Sequence, residues 1–444
     1  MGIGYPKGGF WWKMFVAYTN LRMFDYLCVI FALAKQSISA DKHRKQIMSF
    51  YKIIVRPILF LFPAERVRNF SLAVLRFLGS TRLGEWLLSK IYGYKHPSLE
   101  REVFGIRFRN PIGAAAGLDR DARHYRPFGA LGFGFVEIGT ITPKEQQGGI
   151  SPRMFRLPEH KALIHRMGNP NCGVEKAINH LRRRAHGRKV VVGANIGPGA
   201  HFARENGIKE YLRTFRNLYQ YVDYFTVNID ALTDEDNNYT DYIKAEIEEI
   251  LEALFDFRRG QNDYRPIMVK LSPDWPKEIV DDMCDILIDT PLDGLVVGNG
   301  THQYTNSSES KHANRMRGGT LCGAPLLERT ATLIRYVCSR MDYSYPVIGA
   351  GGIMSAADAQ YLIDAGASLV QCYSALVYEG PAFPGRTCRT LSAPARAEDK
   401  ARRKALRAEA KAAKIAARAA KRAAKATPTP VVTETEPQKD EQQQ

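Results

Sequence analysis

Long apolar runs are missing from this sequence, and that absence narrows what the chain can be. No stretch reaches the ~20 apolar residues of a membrane-crossing helix. The best one, residues 14–35, is broken by Asn20, Arg22 and Asp25, so any membrane contact is expected to be peripheral. Cysteines at metal or redox spacing are missing too. Seven are present, at 28, 172, 284, 322, 338, 372 and 388, with no Cys-x-x-Cys among them. No metal site is therefore expected, and several of these cysteines lie in apolar segments, as buried thiols of a reducing compartment do. The first residues also lack the short apolar core and small-residue cleavage site of a secretory signal.

Acidic residues are in deficit: 46 Asp and Glu face 63 Lys and Arg, for a net charge of +17. Between Ala395 and Ala426 twelve Lys and Arg stand against Glu398, Asp399 and Glu409, so this stretch alone carries a surplus of nine. About half of the excess thus belongs to a tail outside the folded core, and nucleic acid is not the expected partner. Alanine richness favours a helix there, but Leu406 and Ile415 are its only large apolar residues. A solvated, fraying rod is expected rather than an amphipathic wedge. Residues 427–444, with Pro428, Pro430 and Pro437, are disordered by composition.

What the chain has in quantity is apolar material, 45% of 444 residues, enough for a large core. Residues 1–47 are aromatic and basic, with little periodicity. Two strongly apolar helices are expected next, at 48–63 and 64–78. They carry more apolar surface than water tolerates, and fit either a cap packed on the core or a funnel resting on a membrane. From Asn110 onwards short apolar runs alternate with helical patterns. Strands are expected at 110–117, 135–142, 190–197, 224–230, 267–274, 294–301, 346–352 and 369–376, with helices near 121–131, 172–184, 207–219, 240–257, 276–289, 325–340 and 355–365. Eight such units predict an α/β fold, a (β/α)8 TIM barrel. The eighth helix has the weakest signal, because residues 381–394 contain three prolines and Gly385.

The segment Pro346-Val-Ile-Gly-Ala-Gly-Gly-Ile-Met-Ser355 reads as a strand, a glycine turn and a helix N-cap. Glycines let backbone N–H groups approach an anion, and the helix start adds a positive dipole end. After the seventh and eighth strands of a barrel, such a cradle usually holds a flavin or substrate phosphate. Polar residues also recur at the C-terminal ends of the expected strands: Asp119 and Arg120, Thr140, Asn195, Asn228, Lys270 and Asn299. A lysine inside an apolar strand needs an anionic or electron-rich partner. A flavin meets that need, since amides read its uracil-like edge and a cation steadies the reduced ring.

These residues resemble the class 2, quinone-dependent dihydroorotate dehydrogenases, especially the form typical of Bacteroidetes, from about Met48 to Phe383. The resemblance is carried by Phe108-Arg-Asn-Pro-Ile-Gly-Ala-Ala-Ala-Gly117, Phe133-Gly-Phe-Val-Glu-Ile-Gly-Thr-Ile-Thr-Pro143, Pro152-Arg-Met-Phe-Arg-Leu-Pro158, Gly366-Ala-Ser-Leu-Val-Gln371 and Tyr378-Glu-Gly-Pro381. It implies a protein that oxidises dihydroorotate to orotate in pyrimidine biosynthesis, with FMN as cofactor and a membrane quinone as electron acceptor. Its implied place is the cytoplasmic face of a bacterial inner membrane, held peripherally. The implied organisation is an extension at 1–47, a two-helix quinone-tunnel region at 48–98, an FMN-binding barrel at 99–394 and a basic tail at 395–444, for which anionic lipid is the expected partner.

Carried over position by position, the resemblance assigns the flavin to Ala115, Ala116, Gly117, Thr140, Asn195, Asn228, Lys270, Asn299, Gly323, Gly351, Gly352, Tyr373 and Ser374. Arg156 falls at the quinone-side arginine. The substrate side departs from the family pattern. The family's catalytic serine is Ala231 here, within Asn228-Ile-Asp-Ala-Leu-Thr-Asp234, which leaves Asp230 and Thr233 as candidate replacements. Arg120 stands for a lysine, His165 for an asparagine and Asn169-Pro170 for Phe-Asn, with Asn299 retained. These departures keep a second reading open, a flavin-binding homologue serving as a scaffold or acting on another substrate.

Overall fold

The computed structural model describes residues 50–182, 190–200, 206–230, 241–304 and 319–426. Eight parallel strands close on themselves. After an antiparallel pair, β1 (Arg101–Val103) and β2 (Ile106–Phe108), they are in chain order β3 (Ile112–Asp119), β4 (Phe135–Ile141), β7 (Val191–Ile196), β8 (Tyr224–Asn228), β9 (Ile267–Leu271), β10 (Gly294–Val297), β12 (Val347–Ala350) and β13 (Leu369–Cys372). The ring is sealed where β13 pairs with β3, Val370 opposite Ile112. Every strand sits within the stretch read from the apolar rhythm or a residue or two from it, and the (β/α)8 expectation holds.

The barrel interior is filled by aromatic rings seated over glycines. A Cβ on Gly113 would fall 2.2 Å from the ring of Phe135, and one on Gly193 would fall 2.0 Å from the ring of Tyr224. The absent side chains are therefore the space the rings occupy. Phe108, Phe135, Tyr224, Met268, Val296, Ile348 and Leu369 form this plug, with Phe108 and Phe135 edge to face at 5.3 Å. Truncating a buried phenylalanine of this kind costs about 3–5 kcal/mol. Outside the ring the helices are amphipathic. In Gly207–Leu218, Tyr211, Thr214, Phe215 and Leu218 recur on one face and are buried.

Three further strands stand outside the barrel: β5 (Met154–Leu157) and β6 (Ala162–His165) form a hairpin, and β11 (Thr320–Gly323) pairs antiparallel with β6. Thr301, just past β10, bridges to Leu321, which fixes this small sheet at the C-terminal end of the barrel. It was not anticipated from the sequence, although it carries Arg156, His165 and Gly323.

Ahead of the barrel lie three helices rather than two: α1, a π-turn at Tyr51–Val55 continued by Arg56–Phe60, then α2 (Ala64–Leu78) and α3 (Arg82–Ile91). Pro63 separates α1 from α2, and Thr81 caps α3 by accepting from Gly84 N at 3.0 Å. The doubtful last helix exists as Phe383–Leu391. Its Pro384 lies in the first turn, where a missing N–H costs nothing, and Gly385 packs so closely that a Cβ would meet Tyr92 O at 1.9 Å. The tail forms a separate unit, Leu391–Gln444, in which Ala393–Ala426 is one 34-residue helix.

Candidate active site

Glu137, in the middle of β4, anchors the polar side of the barrel mouth from below. Its carboxylate is fully buried and accepts from Asn195 Nδ2 at 3.0 Å, Gln371 Nε2 at 2.6 Å, Thr226 Oγ1 at 3.1 Å and Tyr224 OH at 3.3 Å. Asn195 is thereby aimed, and its Oδ1 accepts from Thr140 Oγ1 at 2.7 Å, which in turn accepts from Asn228 Nδ2 at 3.2 Å. Three of the polar strand ends thus form one network in which Thr140, Asn195 and Asn228 are each partnered, while Gln371 Oε1 is buried without a partner. The role of Glu137 was missed in the sequence. Its signal was a charged residue inside Phe-Val-Glu-Ile.

Lys270 on β9 lies opposite Asn228 on β8 and Val296 on β10. Its side chain is buried, and among the described residues its ammonium makes no hydrogen bond. Asp230 supplies the nearby negative charge. Burial pushes the Asp230 carboxyl above the usual carboxylate range, with Lys270 and the Asn299 amide pulling it back only in part. Asn299 Nδ2 donates to Asp230 Oδ2. The loop bearing Asn299 is held by buried Asp274, which accepts from Thr301 Oγ1 and, at 2.6 Å, from His302 N. Ala231 and Thr233 lie outside the described residues.

Across the mouth, β12 ends in Gly351 (φ +136°) and Gly352 (φ +83°). A Cβ on Gly352 would meet Leu327 Cα at 2.3 Å, and one on Gly351 would meet Thr330 Oγ1 at 2.8 Å. Ser355 caps the helix that follows, accepting from Asp358 N at 3.1 Å. Ser374 Oγ contacts Cys322 Sγ at 3.5 Å, so Tyr373 and Ser374 adjoin Gly323 (φ +119°) of β11. On the far side Ala115, Ala116 and Gly117 end β3. A Cβ on Gly117 would sit 3.3 Å from the Tyr373 ring. The thirteen flavin-assigned positions therefore converge on one end of the barrel, on or just past all eight barrel strands and β11. Buried Thr330 Oγ1 has no partner beside the glycine turn, and the Lys270 ammonium has no acceptor among the described residues; both fit a phosphorylated, electron-rich cofactor.

The substrate-assigned residues divide. Asp119 is buried and accepts from Arg123 N, His124 N and His124 Nδ1 at 2.8, 2.7 and 3.1 Å. Burial alone would raise its carboxyl, but these bonds and the His124 charge hold it below the usual range. The strand end is thereby locked, presenting Arg120. Burial, then the Arg68 and Arg153 guanidinia, push Arg120 down to about 10. Burial, then Arg120, His302 and Arg68, push His165 down to about 4, so its ring is neutral at pH 7, and its Nδ1 is buried without a partner. Asn169 is exposed, in a left-handed turn at φ +49°. The buried amide of that loop is Asn171, bonded to Thr142 Oγ1 at 3.0 Å.

Arg156 on β5 donates to Leu59 O at 3.1 Å and to Phe62 O, and lies 4.4 Å above the Phe60 ring. It therefore closes the C-terminal end of α1. Tyr51 OH donates to Val377 O at 2.8 Å, and Lys52 pairs with Glu379 at 2.7 Å, which seats the same helix on the last barrel unit.

The sequence profile of the family described as dihydroorotate dehydrogenase matches residues 98–394. The chain belongs to this family. It is 38% identical over 334 residues to the dihydroorotate dehydrogenase (quinone) of Christiangramia forsetii, covering 75% of this chain and 96% of that protein. It is 37% identical to the enzyme of the same name from Stenotrophomonas maltophilia, covering 74% and 93%. The crystal structure of the ligand-free enzyme of Eimeria tenella superposes with a TM-score of 0.61 at 29% identity, over 68% of this chain and 90% of that one.

Proposed function

We propose that the protein oxidises dihydroorotate to orotate with FMN and passes the electrons to a membrane quinone. The observation that carries this reading is the buried Lys270 side chain, whose ammonium makes no hydrogen bond with any described residue, beside Asn228 on the neighbouring strand and in the same barrel mouth as the glycine turn at Gly351 and Gly352. Thr140, Asn195, Asn228 and Lys270 would hold the ring system, with close backbone approach at Ala115, Ala116 and Gly117. Gly323, Gly351, Gly352, Tyr373 and Ser374 would hold the phosphate. Bound there, FMN supplies a two-electron acceptor that no side chain provides.

The chain's own residues do the rest. Arg120 offers two parallel N–H donors to a substrate carboxylate, a fork the family's lysine lacks. Neutral His165 adds a hydrogen bond without adding charge. Asn299 holds Asp230, whose carboxylate takes the substrate's proton at Oδ in place of the hydroxyl that Ala231 cannot supply.

Peripheral membrane binding is supported by the apolar residues that α1 to α3 leave in solvent, among them Leu61 at 82%, Phe77 at 66% and Leu83 at 71% exposure. Among the described residues no helix is long and apolar enough to cross a membrane. Arg156, closing α1, is the residue set to meet the quinone. The test is spectral. Purified protein should be yellow, and dihydroorotate should bleach it without oxygen. A flavin left oxidised at high enzyme and substrate concentration overturns the reading.

A further inference from the structure

A cavity of about 380 Å³ opens between α2 and the turn that follows β3. Six cations line it: Arg68, Arg76, Arg120, Arg123, Arg153 and Lys176. The three carboxylates in its wall are already engaged. Glu65 Oε1 accepts from Arg153 Nε and Nη2 at 3.0 and 2.8 Å, Glu145 from Lys176 at 2.5 Å, and Asp121 from Cys172 N at 2.9 Å. Arg68, from α2, donates from Nη2 to Gly117 O at 2.9 Å and Leu118 O at 3.3 Å and from Nη1 to Asn69 Oδ1 at 3.4 Å, while its Nε is buried without a partner. Those carbonyls carry no net charge. Arg120, two residues beyond Leu118, makes no hydrogen bond or ion pair with any described residue.

Like charges collected in a half-enclosed space repel unless an anion joins them. We propose that this cavity binds a small dianionic oxyanion of the phosphate-monoester class, separate from the glycine turn at Gly351 and Gly352. A tetrahedral dianion offers oxygens to donors arriving from both sides, and two charges fit a wall whose cations outnumber its carboxylates by three. Bound between Arg68 and Arg120, the ligand ties α2 to the end of β3 and, on the function proposed above, competes with the substrate carboxylate for the Arg120 guanidinium. The site therefore couples occupancy to the seating of the N-terminal helices.

Two sources present the same group, a free phosphate monoester and the headgroup of a phospholipid such as phosphatidic acid. The flavin-loaded full-length protein is titrated with glycerol 3-phosphate, with inorganic phosphate and with phosphatidic acid vesicles, against chloride at constant ionic strength. A saturable rise in melting temperature, with slower proteolysis within α2, is expected. Arg68→Met should weaken the effect by about 10- to 100-fold, as loss of a charge-assisted hydrogen bond does. Because that change also removes the bond to Gly117 O, Arg76→Gln is the second variant; it should weaken the effect several-fold while leaving the melting temperature in chloride unchanged. Response to the soluble esters assigns a solution ligand, and response to vesicles alone assigns a headgroup. No saturable effect with any of the three, or midpoints in both variants equal to that of the unaltered protein, overturns the proposal.

Discussion

Burial of the Asp230 carboxyl raises the pH at which it takes a proton, and this makes its role measurable. A base must be ionised to act, so the rate should fall as pH drops through a value above the ordinary carboxylate pKa of about 3.9. Stability runs the other way. With the folded pKa above the unfolded one, the carboxyl's favourable contribution is present at low pH and is lost as pH rises through the folded value. Asp230→Asn should therefore lower turnover by about 10²- to 10⁴-fold without lowering the melting temperature at pH 7. A kcat profile whose acid limb survives in that variant removes Asp230 as the base. The neutral His165 ring, pushed down to about 4, should add no titration of its own between pH 5 and 8.

At the scale of elements, the three helices ahead of the barrel carry opposite surfaces. One side is tied to the barrel by Arg156, Tyr51 and Lys52. The other leaves Leu61, Phe70, Phe77, Leu83 and Trp86 in solvent, and such a side is stable only if something apolar covers it. The double change Leu61→Glu, Phe77→Glu should separate the two half-reactions. Bleaching by dihydroorotate, which depends on the barrel mouth, should keep its rate. Turnover with a long-chain quinone in vesicles should fall at least ten-fold, because the exposed helices lose their hold on the bilayer. Equal loss in both assays would mean that the helices serve the barrel rather than the membrane.

At the scale of the molecule, charge is concentrated in a terminal helix of 34 residues, about 50 Å long at 1.5 Å per residue. Its cations are spread around the rod, so attraction to an anionic surface should be purely electrostatic. Removing residues 395–444 should leave flavin content unchanged and weaken binding to anionic liposomes. The difference should vanish near 1 M salt, where the Debye length is ~3 Å. Liposome binding by the truncated protein that matches the full chain at low salt removes the tail as an anchor.

The sequence by itself determined the barrel, because strand and helix periods are local properties and eight alternations leave few ways to close. It also determined the strand-end amides, Lys270 and the glycine turn, since each is unusual for its own segment. The third helix, Arg82–Ile91, was not read from the sequence, because its start is marked only by the Thr81 cap, a signal weaker than a long apolar run. The sheet of β5, β6 and β11 was not legible, because β6 and β11 pair across more than 150 residues and no local pattern reports such a partner. Glu137 could be seen as odd but not as an anchor, since its four donors come from β7, β8 and β13. The meeting of Arg68 with Arg120 is likewise a tertiary fact. Arg68 drew no notice in the sequence and Arg120 reads there only as a strand-end substrate residue; only the docking of α2 on β3 brings the two guanidinia to one cavity, where their charges raise each other's cost and an anion would lower it.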